Sequence, residues 1–344
     1  VDLTLLTGTT IEVMTMAPLL SVIITAYNEG DFLVEAVRSV QQQTFPNREI
    51  ILVDDGASGY TKKVIDRLAP EPELTVIRQA NQGQSVARNV GIAHARGKYI
   101  GLMDGDDVWH QERANILIAV LDQNPDLDLI VSWWRVINEQ GEDTGRRGKP
   151  YEKMIMPEDL IRCQFLGGPS NFLGRKEAFI AAGLFDSSFR SIEDLEFLFR
   201  LAHLRPNNIR VLPRILWDYR VRGGQLTKNW PTMWENWEEA FAKMRSLEPE
   251  RVEALEPEAR AIFTRYLAYL AYESKDYSTA RTFLHQALRM KPGFLLDRGS
   301  WMVIAAITCT LLPELLHAFL AQSVMGLRKQ LTITKERRTV CGTF

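Results

Sequence analysis

The chain is poor in cysteine, in net charge and in long apolar runs, and each shortage excludes something. Among 344 residues there are 3 cysteines. Cys163, Cys309 and Cys341 stand far apart with no CxxC pair, which argues against a zinc ribbon and suits a reducing compartment. The formal net charge is −2, so no basic surplus points to nucleic acid, and any basic site must be local. Val1 to Thr15 lack a basic stretch followed by an apolar one, so no signal peptide is read there. Residues 1–16 are expected to be a leader or an added extension ahead of a start at Met16. The uncharged run Trp301 to Leu312 is broken by Pro313 and Glu314, and neither it nor the apolar stretch that resumes to Leu327 reaches the ~20 residues of a spanning helix. Arg328, Lys329, Lys335, Arg337 and Arg338 follow. An apolar run with a basic tail is the pattern of an interfacial helix, so peripheral membrane contact through residues 301–338 is one expectation, on the inner face of the membrane of a cytoplasmic protein. A buried helix with a solvated tail is the other.

What is present is the material of a globular core: 46% hydrophobic and 24% charged residues, enough for one large domain or two ordinary ones. Residues 19–26, 50–53, 74–78, 99–103 and 127–133 are short apolar runs that read as buried strands. Helical spacing intervenes, as in Phe32, Leu33, Ala36, Val37 and Val40, with Asp31 placed to cap that helix. Val86 to Ala95 and Ala114 to Leu121 also read as helices, and Gly141 to Pro150 as a loop. The rhythm predicts an α/β fold with a mostly parallel, doubly wound, Rossmann-like sheet over residues 17–228. From Asn229 the character becomes helical. Trp234, Trp237, Phe241 and Met244 share one helical face, and residues 258–292 read as a helical hairpin turning near Lys275 and Asp276. Ala268, Ala271, Tyr277, Ala280, Phe283, Ala287 and Pro292 have the spacing of one tetratricopeptide repeat, or of an ordinary hairpin with small residues at its crossing. An all-helical region over 229–330 and a basic tail over 331–344 complete the expected organisation.

Ligands of doubly wound sheets bind beyond the carboxyl ends of the strands, and the unusual polar residues lie there. The first strand ends in Thr25-Ala26-Tyr27-Asn28-Glu29, the second in Asp54-Asp55-Gly56, and a later one in Asp104-Gly105-Asp106-Asp107. Three carboxylates within four residues repel unless a cation or hydrogen-bond donors neutralise them. Mg²⁺ or Mn²⁺ bound by one or two carboxylates plus substrate phosphates would do so, and an acidic loop capping a helix would be the plainer account. Gly83 permits a tight turn before a helix in whose first turns Arg88 could reach phosphate oxygens. Trp109, Trp133 and Trp134 could stack on a sugar face or simply pack.

Taken in order, Leu20 to Asn28, Val53-Asp54-Asp55-Gly56, Ala87-Arg88-Asn89, Met103-Asp104-Gly105-Asp106-Asp107, Ala182-Gly183-Leu184-Phe185-Asp186, Ser191-Ile192-Glu193-Asp194 and Tyr219-Arg220 resemble the motif set of family 2 glycosyltransferases of GT-A fold, over about residues 18–228. That resemblance implies an inverting transferase moving a sugar from a nucleotide-diphosphate donor, UDP by family habit, to a hydroxyl acceptor, with Mn²⁺ or Mg²⁺. The acceptor would be a glycan, a lipid-linked sugar or a protein side chain, in cell-surface glycan or glycolipid synthesis. It places Thr25, Tyr27, Glu29 and Asp55 around the nucleobase and ribose, Arg88 on the pyrophosphate, Asp106 on both ribose and metal, and Asp107 on the metal. Asp194 would be the general base with Glu193 beside it. Asp104, Trp109, Ser170 and Asn171 would line the sugar and acceptor pocket. Many members have a histidine where Arg222 stands. A guanidinium cannot ligate a metal but could pair with the leaving diphosphate. Two other classes compete. A nucleotidyltransferase would carry a basic glycine-rich loop after the first strand, where this chain has no basic residue until Arg38. A non-catalytic module would use the helical region as its platform.

Overall fold

In the computed structural model the described residues are 17–148, 153–162, 166–223 and 230–296. The leader, Cys163, the 301–338 segment and the basic tail therefore lie outside them.

The chain runs β1 (Leu20–Ala26), α1 (Phe32–Gln41), β2 (Arg48–Asp55), α2 (Gly59–Leu68), β3 (Leu74–Gln79), α3 (Gln84–His94), β4 (Tyr99–Asp104), β5 (Val108–Trp109), α4 (Arg113–Gln123), β6 (Leu129–Ile137) and β7 (Asp143–Arg147). It continues through β8 (Lys153–Met154), α5 (Pro157–Ile161), β9 (Leu173–Arg175), α6 (Lys176–Ala181), α7 (Glu193–Leu204), β10 (Ile209–Arg220), α8 (Trp230–Leu247), α9 (Pro249–Glu273) and α10 (Tyr277–Met290). One sheet has the order β3-β2-β1-β4-β9-β6-β10-β5, with β7 on β6 and β8 on β10.

The strands β3, β2, β1 and β4 are parallel. Beyond β4 the short β9 runs antiparallel between β4 and β6, whereas β6 and β10 are again parallel. The sheet is thus mixed and α/β: parallel where helices cross over between strands, with short antiparallel partners in β5, β7, β8 and β9, of which β7 alone is a local return from its neighbour. Residues 143–147, expected as loop, pair with β6. Their polar composition hid an edge strand, which needs only backbone groups to pair. Asp31 precedes α1 but gives it no side-chain cap, because its carboxylate accepts from Tyr60 Oη at 2.7 Å and from Arg67 at 3.3 Å.

Both sheet faces are covered, which is why the first strands read as continuous apolar runs rather than alternating ones. Val22, Ile24, Ile50 and Leu52 pack with Leu33, Val37, Val64, Leu117 and Ile118 from α1, α2 and α4. Ile23, Ile51 and Val53 face the other way, into a layer holding Ala87, Phe179, Leu195, Phe199, Trp237, Phe241 and Phe263. The helices after residue 230 therefore share one core with the sheet. Trp237 stacks on Phe241 at 4.1 Å and on Phe263 at 5.1 Å. The α9–α10 hairpin closes over the small side chains Ala268, Ala271 and Ala280.

Helix α3 approaches β1 so closely that a Cβ on Gly91 would lie 2.3 Å from Ile23 Cγ2. Gly91→Ala is expected to destabilise the fold by about 1–3 kcal/mol through overpacking, read as a lower urea midpoint with unchanged slope.

Candidate active site

The carboxyl ends of β1, β2 and β4 bring three acidic clusters to one edge, and α3, α7 and β10 complete it. Asp104 ends β4. Its Oδ1 accepts from Arg88 Nη2 at 2.7 Å and more weakly from Thr25 Oγ1 at 3.4 Å, and its backbone N–H donates to Ser170 Oγ at 2.9 Å. Asp106 Oδ2 accepts from Arg222 Nε at 2.6 Å. The same guanidinium reaches Asn28 Oδ1 at 2.9 Å and lies 3.5 Å from Glu29 Oε1. Arg222 thus ties the loop after β1 to the acidic loop. Asp107 is 1% exposed and accepts from the Arg220 backbone N–H at 2.9 Å, while Arg220 Nε donates to the Asp106 carbonyl at 2.8 Å. Arg220, 1% exposed, is the splint of this loop, a role its place in the Tyr-Arg pair did not disclose.

Electrostatics here run against ionisation. Burial, then Asp106 and Asp104, hold Asp107 well above the usual carboxylate range. Burial also raises Asp106, with Arg222 opposing. Glu29 is pushed up to about 7 by burial, against the Tyr27 backbone N–H that donates to it at 2.6 Å. Burial is thus the main cost of charge in this loop, which Arg88 and Arg222 offset at Asp104 and Asp106. Among the described residues no group of three His, Cys, Asp or Glu is arranged to hold a metal. The donor set that exists is two adjacent carboxylates, which fits a Mg²⁺ or Mn²⁺ completing its shell with substrate oxygens.

Several of the expected residues already have protein partners. Arg88, expected on the pyrophosphate, is 1% exposed and spans Asp104 and Glu193, with Nη1 donating to Glu193 Oε1 at 2.7 Å. It is a strut between the β4 edge and α7. Asp55, expected on the base, already accepts from Gln79 Nε2 at 2.8 Å, Gln82 N at 2.9 Å and Gly83 N at 2.8 Å, so it shapes the loop before α3. Trp109 is 2% exposed; it donates to the Ser170 carbonyl at 3.2 Å and stacks under Arg113 at 4.8 Å. Asn171 is fully buried and bonds Ser132 and Leu166. Both are buried in the core rather than exposed to line a sugar site, a large ring and a fully paired amide being satisfied there. Ser170 holds Asp104 by its hydroxyl, and Tyr27 is 47% exposed at the rim. Trp133 and Trp134 stack on each other at 5.5 Å.

Glu193 and Asp194 open α7, where the helix dipole favours acids. Glu193 is buried on Arg88. Asp194 is partly exposed and accepts from the Leu195 N–H at 2.8 Å. Burial and the neighbouring Glu193 push it up to about 7. Tyr266 of α9 lies near enough for the Asp194 charge to raise its phenol, after burial, above the usual range. Sequence reading missed Tyr266, since an aromatic on a helix carries no mark of what it faces.

A mixed sheet with acids at the β1, β2 and β4 ends, and an acid pair opening a helix across from them, is an α/β arrangement of GT-A type. Residues 21–182 match the model of glycosyl transferase family 2. An uncharacterized glycosyltransferase EpsJ of Bacillus subtilis is 33% identical over 225 residues, covering 62% of this chain and 64% of the relative. An uncharacterized glycosyltransferase of Haemophilus influenzae is 29% identical over 53% of this chain and 62% of its own. The chain thus spans just under two thirds of these relatives' length. Staphylococcus aureus TarS 1-349, solved with UDP-GlcNAc, superposes with a TM-score of 0.59 at 19% identity over 93% of this chain and 92% of that one, a likeness of fold.

Proposed function

We propose that the protein transfers a sugar from a nucleoside-diphosphate donor, a UDP-sugar, to a hydroxyl acceptor with inversion at the anomeric carbon. The observation that carries this is the chain Asp104–Arg88–Glu193, which sets partly exposed Asp194 across from the acidic loop. An acceptor hydroxyl is a weak nucleophile near neutral pH. Asp194 takes its proton as the new O–C1 bond forms, and the electron pair of the breaking C1–O bond leaves with the nucleoside diphosphate. No covalent enzyme intermediate is needed, hence inversion. Thr25, Tyr27 and Glu29 border the nucleobase side. Asp106 and Asp107 would hold Mn²⁺ or Mg²⁺, which when bound supplies charge stabilisation to the diphosphate. Arg222 reaches the same diphosphate once donor draws it from Asp106. A TarS structure with UDP-GlcNAc and one with UDP support a uridine donor. Residues 17–228 form the transferase domain on this reading, with 229–330 as a helical region built onto it. A membrane-proximal acceptor would suit the apolar and basic composition of 301–338. No helix among the described residues is long and apolar enough to cross a membrane.

The test is a donor panel of UDP-, GDP- and dTDP-sugars with Mn²⁺ or Mg²⁺, read as released nucleoside diphosphate and as nucleotide binding by calorimetry. Release from one donor, lost on chelation and in Asp107→Ala, is expected. Nucleotide binding indifferent to both would overturn the metal and donor assignment.

A further inference from the structure

The loop that delivers Asp194 is gripped from both sides. Ile192, the residue before the acid pair, has φ 68° and ψ 2°, a left-handed conformation that a β-branched side chain rarely adopts. Such a conformation is costly and persists only where the surroundings over-determine it. The surroundings here are two helices. From α3, Asn89 exchanges a pair of hydrogen bonds with the Phe185 backbone at 2.7 and 2.9 Å, and Ser85 Oγ donates to the Phe189 carbonyl at 3.3 Å. From α8, the Asn236 amide oxygen accepts from Arg190 N at 3.2 Å, Ser191 N at 3.0 Å and Ser191 Oγ at 3.1 Å. One further turn along the same face, Glu239 accepts from Ser188 Oγ at 3.2 Å. Beyond it, Lys243 donates to Asp186 Oδ2 at 2.5 Å and lies 4.4 Å over the Phe189 ring. Asn236, Glu239 and Lys243 follow i, i+3, i+7 spacing, so one stripe of α8 reads the whole loop. Asn236 is 8% exposed and sits among buried Met233, Trp237 and Ala240. A polar side chain kept in an apolar stripe needs a partner, and its partners are the two peptides just before Ile192.

We infer that Asn236 is a positioning residue for the proposed base, so that the helical region after residue 230 is part of the catalytic apparatus. This inference rests on the reading of Asp194 as base. With the amide oxygen gone, the Arg190 and Ser191 N–H groups lose their acceptor, Ile192 is no longer held left-handed, and the α7 N-terminus relaxes. Asp194 then shifts relative to Glu193, Arg88 and Tyr266. A displacement of ~1 Å in a reacting group is enough for about a 100-fold loss of rate. Asn236→Asp keeps the acceptor but adds a negative charge near the acid pair.

The experiment compares Asn236→Ala, Asn236→Asp and Asp194→Asn in the full chain, with the donor identified by the panel, measuring kcat, donor KM and the pH dependence of kcat. For Asn236→Ala, kcat is expected to fall by at least ~10-fold with donor KM unchanged, and its acid limb to move toward the ordinary carboxylate range. For Asn236→Asp, most of kcat should return at high pH, with the limb displaced upward. Wild-type kcat and an unmoved limb in Asn236→Ala, beside an inactive Asp194→Asn, would overturn the inference. Equal impairment of both Asn236 variants with an unmoved limb would reduce Asn236 to packing and overturn it as well. Full activity in Asp194→Asn would instead sink the underlying reading of the base.

Discussion

Asp194→Asn is expected to abolish nearly all transfer while making the protein more stable. The loss follows from removing the only step the reading assigns to that carboxylate, taking the acceptor proton, which is worth about 10²–10⁴ in rate. The gain follows from linkage. Asp194 titrates near 7 in the folded protein against 3.8 ordinarily. Between those values the native state keeps a proton that the unfolded chain has released, so stability declines as pH rises through that window. Above pH ~7 the native state carries the cost of a charge partly withdrawn from water and set beside Glu193. Asparagine has the same shape and no charge, and relieves it. Thermal unfolding of Asp194→Asn at pH 8 should occur a few degrees higher, roughly 1 kcal/mol, with a smaller gain at pH 5. The same shift predicts that the wild-type kcat/KM rises with pH to a midpoint near 7, read from initial rates across pH 5–9. A variant as labile as wild type at pH 8, or a profile flat through 7, would remove the electrostatic basis for the role.

Removing Arg88 has the opposite sign and the largest structural effect. Burial works against its charge, yet Asp104 and Glu193 outweigh burial and keep it firmly protonated. Arg88→Ala leaves Glu193, 3% exposed, without its counter-ion and opens the space over the Phe185 ring, where the guanidinium lies at 5.6 Å. Breaking a buried pair from one side costs about 3–5 kcal/mol, because the remaining charge stays buried. Arg88→Lys cannot span both carboxylates with one ammonium and should recover only part. Denaturant unfolding measures the loss, and Arg88→Ala combined with Glu193→Gln should lose less than Arg88→Ala alone. If Arg88 instead served mainly to hold diphosphate, Arg88→Ala would weaken nucleotide binding with stability nearly unchanged.

Much of the molecule was legible from the residue order. The buried strands announce themselves because a parallel strand covered on both faces is apolar along most of its length, as Leu20 to Ala26 is apart from Ser21 and Thr25. The acids at the ends of β1, β2 and β4 are visible because strand ends of such sheets converge, so residues far apart in sequence can be placed on one edge before any coordinate is known. The family motifs carried the class of protein for the same reason: they are backbone positions, set by local order. What side chains do with one another was not legible. Arg88 could have faced a phosphate or a carboxylate, and only the packing of α7 against α3 chose Glu193. Asp55 and Asn171 are polar residues in expected places whose protein partners, Gln79, Gly83 and Ser132, are brought in by other elements. Residues 143–147 became an edge strand because β6 offered an unpaired rim. Periodicity identified α8 as amphipathic, but not that its one buried amide would meet the peptides before Ile192. Local order in this protein is written in spacing. Partnership is decided by long-range closure, because hydrogen bonds and charge pairs depend on three-dimensional distances that no spacing along the chain encodes.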